Sequence, residues 1–189
     1  MVTKLGSRFE EAMIYANRLH VKQTRKVSGN PYMAHLLGVA ALVLEDGGSE
    51  DECIAALLHD AIEDQGGDKT RQEIRKRFGE RVVEIVNGCS DADHFPKPPW
   101  RERKEKFIHS LASASNEVVR VTAADKLDNV RSLLVFYPRF GSMIWRKFNG
   151  GRDGTFWYYA EVTKALQARS ESQLVKALAK AVDDLQKLD

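Results

Sequence analysis

ECIAALLHDAIED, residues 52–64, decides how the rest of the chain is read, because an apolar helical run there abruptly takes on four ionisable side chains, His59, Asp60, Glu63 and Asp64. At about 100° per residue, His59 and Glu63 fall on one helical column and Asp60 and Asp64 on the next, so one turn of helix presents all four. Their neighbours Ala55, Ala56, Leu58 and Ile62 are core-forming. Burying an imidazole and carboxylates among such residues costs several kcal/mol unless the polar groups find partners, and a divalent cation satisfies His and Asp together. The carboxylates also stand where Gln65, Gly66 and Gly67 stop the helix, and there they oppose its macrodipole. A bound cation explains that placement; a structural salt-bridge network is the alternative reading.

Around this stretch, 189 residues with 43% hydrophobic and 30% charged side chains suit one soluble domain over residues 1–189, large enough to bury a core. A net charge of +2 gives no global attraction to nucleic acid or an anionic membrane, so neither is an expected partner, and an anionic small molecule has to be held by a local basic cluster. Cys53 and Cys89 have no metal-type spacing and are too few for a disulfide framework, which points to a reducing cytoplasm. The N-terminus has no apolar leader segment, and no uninterrupted apolar run approaches the length of a membrane span. Oligomeric state is left open, a homo-oligomer included.

The periodicity is helical throughout. Residues 7–21 read as an amphipathic helix with Ser7 as N-cap and Glu10 three positions on. Lys22, Arg25 and Lys26 then precede Ser28, Gly29, Asn30 and Pro31, a basic loop that is either solvated surface or an anion-holding segment. Pro31 fits the first turn of a second helix stopping near Gly47, with His35 either a hydrogen-bonded core histidine or a ligand. Ser49 and Glu52 form a capping pair for the helix quoted first. From residue 70 a further helical region carries Ile74, Phe78, Val82, Ile85 and Val86, with a break at Gly79. HFPKPPW at 94–100 reads as a connection, residues 100–114 as a charged helix with Phe107, Ile108 and Leu111 inward, and His94 and His109 as structural or surface residues.

On residues 116–138, Thr122, Asp125, Asn129 and Ser132 follow one another at spacings of 3, 4 and 3, a polar line that is either the solvent face or a ligand-facing stripe, with Lys126 and Arg131 pointing elsewhere. Beyond Pro138, aromatic residues with Arg146, Lys147 and Arg152 surround a glycine pair, which suits stacking and phosphate binding as well as it suits an ordinary helical junction. Residues 155–169 and 171–187 read as scaffold helices.

TRKVSGNPYMAH at 24–35, AALLHDAIED at 55–64 and AADKLDNVRSL at 123–133 make the chain resemble the HD-type hydrolase domain of the RelA/SpoT homologues. With no synthetase domain following, it is most similar to the single-domain small alarmone hydrolases. The resemblance implies an all-α, compact multi-helix HD bundle. It implies His35, His59, Asp60 and Asp125 as metal ligands, normally of Mn²⁺ although another divalent ion fits, and Glu63 and Asp64 as the pair that orients or activates the attacking water. Asn129 matches a substrate-contacting position, and Arg25, Lys26, Ser28 and Tyr32 match a nucleotide-holding loop. Lys147, Asn149, Arg152, Trp157, Tyr158 and Tyr159 resemble the C-terminal pocket segment of the bacterial members. Val27 lengthens the basic loop, and Asp128 stands where bifunctional members often have His. The implied reaction is hydrolysis of the 3′-pyrophosphate of (p)ppGpp to GDP or GTP and pyrophosphate; the same machinery also suits NADPH or another nucleotide. A catalytically silent binding module would be expected to lose ligands or the acidic pair, and the six residues are present.

Overall fold

Helix boundaries follow from how each end satisfies its orphan backbone groups. The computed structural model describes residues 3–91 and 98–188, and there α1 spans Ser7–Leu19, α2 Met33–Glu45, α3 Glu50–Leu58, α4 Ala61–Asp64, α5 Asp68–Phe78 and α6 Glu80–Cys89. They are followed by α7 at Trp100–Ser110, α8 at Asn116–Phe140, α9 at Gly151–Gln167 and α10 at Gln173–Gln186, with 3₁₀ turns at Leu111–Ser113 and Gly141–Lys147. Among the described residues the extended backbone pairs only as a single bridge, Thr24 to Pro31. The architecture is all-α. His94 and most of the proline-rich connection lie outside the described residues.

Several local expectations change. Gly6, not Ser7, caps α1, and without a side-chain bond, whereas Ser49 and Glu52 make the full capping box on α3. Pro31 lies outside α2, because it is held in the bridge with Thr24. Gly79 breaks the α5–α6 run at φ 91°, a conformation that side chains resist. The stretch quoted first is not one helix: α3 ends at Leu58 and α4 begins at Ala61. His59 Nδ1 donates to the Ala56 carbonyl at 2.8 Å, a carbonyl that a continuous helix offers to the backbone N–H of Asp60. The interruption turns His59 and Asp60 toward one centre and leaves Glu63 and Asp64 on the next short turn.

The core is a continuous cluster drawn from α1 through α10. Residues 53–58 of α3 are wholly buried, and each large side chain among them contributes about 1.5–3 kcal/mol of burial. α8 is the axis on which α2, α3, α6, α9 and α10 pack. Arg120 locks α8 to the α2–α3 turn by donating to Asp46 at 2.9 Å and to Glu52, the residue that also closes the α3 capping box. No described helix is long and apolar enough to cross a membrane.

Candidate metal centre and substrate cavity

His35, in the first turn of α2, donates from Nδ1 to Asp128 Oδ2 at 2.6 Å, and His59 donates from Nδ1 to the Ala56 carbonyl. Those partners fix both tautomers, so each Nε2 carries its lone pair inward. Each residue is only 2% exposed, and neither Nε2 has a hydrogen-bond partner. What they face is carboxylate: Asp125 Oδ1 lies 3.3 Å from His35 Nε2 and 3.7 Å from His59 Nε2. Asp60 Oδ2 lies 3.1 Å from His59 Nε2 and 3.9 Å from His35 Nε2.

Lone pairs pointed at carboxylate oxygens call for a cation between them. The ligating atoms of His35, His59 and Asp125 fall within 4.8 Å of one another, and this mixed N/O set fits a divalent first-row ion. The field agrees. Burial opposes protonation of His59, yet Asp60 and Asp125 overcome it and raise its pKa, while burial of Asp60 is outweighed by His59 and that of Asp125 by Lys126, holding both carboxyls below the usual range. Cys89 also lines the cavity, and burial pushes its thiol up to about 11.

Around the centre lies a cavity of about 620 Å³. Tyr32 donates its hydroxyl to Asp60, and Asn129 donates to Asp125 while accepting from Arg25 Nη1 at 2.9 Å. The polar line on α8 therefore faces the cavity: Asp125, Asn129 and Ser132 line it, and Thr122 is buried. Lys126 does not point elsewhere as its position suggested; its Nζ sits 2.5 Å from Asp125 Oδ2 and 5.6 Å from the Tyr158 ring centre. Glu63 and Asp64 line the cavity, with Glu63 Oε1 4.0 Å from Arg103 Nη1.

Arg25, Lys26, Asn149, Tyr158 and Tyr159 reach the cavity wall as well. Ser28 is not on that wall and caps its own turn, accepting from Asn30 N at 3.2 Å. Lys147 supports the loop from behind by donating to the Lys26 carbonyl at 2.8 Å. Arg152 is turned away, bonding the Leu188 carbonyl at 3.0 Å and lying over Phe156 one turn further along α9, which starts at Gly151. Trp157 packs beneath Arg101. Val27 is buried, which anchors the longer loop in the core.

Arg103 and Lys104 are cavity residues that sequence reasoning missed, together with Gln23, Lys126 and Asp91. Arg103 and Lys104 both bond Asp91, whose burial is outweighed by those two cations, so its carboxyl stays below the usual range. The signal was available: they stand four and three residues before Phe107, on the face already read as inward.

Asp128, at the position where bifunctional members often have His, is the acceptor that orients His35. A Cβ on Gly38 would lie 2.4 Å from Asp128 Oδ1, so Gly38→Ala displaces that carboxylate. The expected result is a roughly 10- to 100-fold loss of metal affinity with helical content retained. Calorimetric titration with Mn²⁺ measures it, and unchanged affinity removes Asp128 from that role.

The HD domain family model matches residues 12–156. The guanosine-3′,5′-bis(diphosphate) 3′-pyrophosphohydrolase MESH1 of Homo sapiens is 37% identical over 171 residues, 89% of this chain and 89% of that protein. The enzyme with the same activity name from Aquifex aeolicus is 40% identical over 129 residues, but the chain spans only 18% of its length. A solved structure of a metazoan SpoT orthologue, described as hydrolysing ppGpp, superposes with a TM-score of 0.80 at 27% identity, covering 99% of both chains.

Proposed function

Because the chain belongs to the HD domain family, we propose that it is a metal-dependent guanosine-3′,5′-bis(diphosphate) 3′-pyrophosphohydrolase that converts (p)ppGpp to GDP or GTP and pyrophosphate. The observation that carries this reading is the charge layout of the cavity. The cavity beside the acidic, histidine-bearing centre has a basic wall of Arg25 and Lys26 from the loop and Arg103, Lys104 and Lys126 from α7 and α8. A nucleotide with phosphates on both ends of its ribose places one group at the centre and another on a basic wall.

We assign Mn²⁺ to the centre on the strength of its two imidazoles and two carboxylates. When bound, a divalent ion there supplies Lewis-acid activation of water and offsets phosphate charge. The chain's own residues do the rest. Glu63 accepts the proton of the attacking water, a role worth about 10²–10⁴ in rate. The basic side chains hold the diphosphate and offset charge as the bond from phosphorus to the ribose 3′ oxygen breaks. Tyr158 and Tyr159 form the apolar floor beside Lys126. The test is incubation of purified protein with Mn²⁺ and ppGpp, NADPH or nucleoside monophosphates in parallel. Release of pyrophosphate from ppGpp is expected, and consumption of NADPH or a monophosphate alone overturns the substrate assignment.

A further inference from the structure

Gln23 stands at the foot of the basic loop, where the Thr24–Pro31 bridge closes residues 24–31 and Tyr32 N donates to the Gln23 carbonyl at 3.0 Å. Its side-chain amide has three partners. Oε1 accepts from His20 Nδ1 at 2.7 Å and from Gln65 Nε2 at 2.5 Å, while Nε2 donates to Asp64 Oδ2 at 2.8 Å. The opposite orientation would set the amide oxygen against the Asp64 carboxylate, so the amide is locked one way.

The scaffold behind it is buried and stacked. His20 is buried and lies flat on the Tyr32 ring, with centroids 5.3 Å apart and planes at 20°. Burial lowers the His20 pKa, which leaves a neutral ring whose single N–H goes to Gln23. Tyr32, at the other foot of the loop, donates to Asp60. Both feet of the loop that carries Arg25 and Lys26 thus reach an acidic residue of the centre.

We propose that Gln23 is a positioning residue: it fixes the Asp64 carboxylate and ties it to the basic loop, so that the held phosphates and the attacking water share one frame. This rests on the hydrolase reading above. Gln23→Met keeps length but removes the donor, and Gln23→Glu keeps size and sets a carboxylate against Asp64.

Each should lower kcat on ppGpp roughly 10- to 100-fold, with KM and Mn²⁺ content within about 3-fold of wild type. On an Asp64→Asn background the same changes should add less than about 3-fold, because the two residues act as one unit. Full additivity, or an unchanged kcat, overturns the proposal. A crystal structure of the Gln23→Met protein with Mn²⁺ reads the same point without turnover: a rotated Asp64 carboxylate is expected, and one in its wild-type place overturns the proposal. Failure of the wild-type protein to cleave ppGpp overturns the functional reading alone, because the crystallographic comparison still decides the role of Gln23.

Discussion

His59→Ala should bring bound Mn²⁺ to background and turnover of ppGpp below detection, while far-UV circular dichroism still reports an α-helical protein. The side chain supplies a wholly buried nitrogen lone pair to the centre and sits against two carboxylates. Without it, Asp60 loses the imidazole 3.1 Å away, while Asp125 keeps Lys126 and His35 but the centre has one ligand fewer. The helices persist because α3 is held by residues 53–58 and the Ser49–Glu52 box, which lie before the substitution. Metal content by atomic absorption and turnover by pyrophosphate release check both outcomes; retained turnover in excess Mn²⁺ sinks the proposed centre. A companion effect fixes a sign. The pKa of His59 is raised in the metal-free protein, so a proton competes with the ion for Nε2. Metal affinity of the wild-type protein should therefore fall as pH drops, beginning above the ordinary imidazole range.

Helix type was legible from apolar spacing, and so were the end signals carried by a single side chain, Ser49 and Gly79 among them. The break at His59 was not. It arises because an imidazole takes a backbone carbonyl in order to aim at residues far along the chain, and local periodicity carries no trace of that demand. His59 and Asp60 could be picked out because ionisable groups on an apolar helix are costly, whereas His35 and Asp125 joined them only through the family resemblance; the structure brings the four side chains together. Basic residues are harder. Lys126 resembles the charges of any solvated face, and only the packing of α8 around the cavity shows that it points inward; for Arg103 and Lys104 the spacing to Phe107 was the one available signal. Arg152 fails in the opposite direction, turned away to lie over Phe156.

Glu63→Gln should retain Mn²⁺ and leave KM within a few-fold while cutting kcat about 10²–10⁴-fold, the range for losing a positioned proton acceptor. The substitution keeps the size of the side chain and its hydrogen-bonding capacity and removes only its basicity. Glu63 is outside the four proposed ligands, so metal binding has no reason to change, and it stands on the cavity wall. Asp64 is the competing base, and the two differ in their surroundings. An amide pins one oxygen of Asp64 from behind, whereas Glu63 stands 4.0 Å from the Arg103 guanidinium, itself engaged by Asp91. A carboxylate held by an amide donor is suited to orienting water, which leaves Glu63 as the proposed proton acceptor. Asp64→Asn should then cost less in kcat than Glu63→Gln. The reverse order, measured under saturating Mn²⁺ and substrate, would transfer the proton-accepting role to Asp64, and an unchanged rate in Glu63→Gln would remove Glu63 from the mechanism.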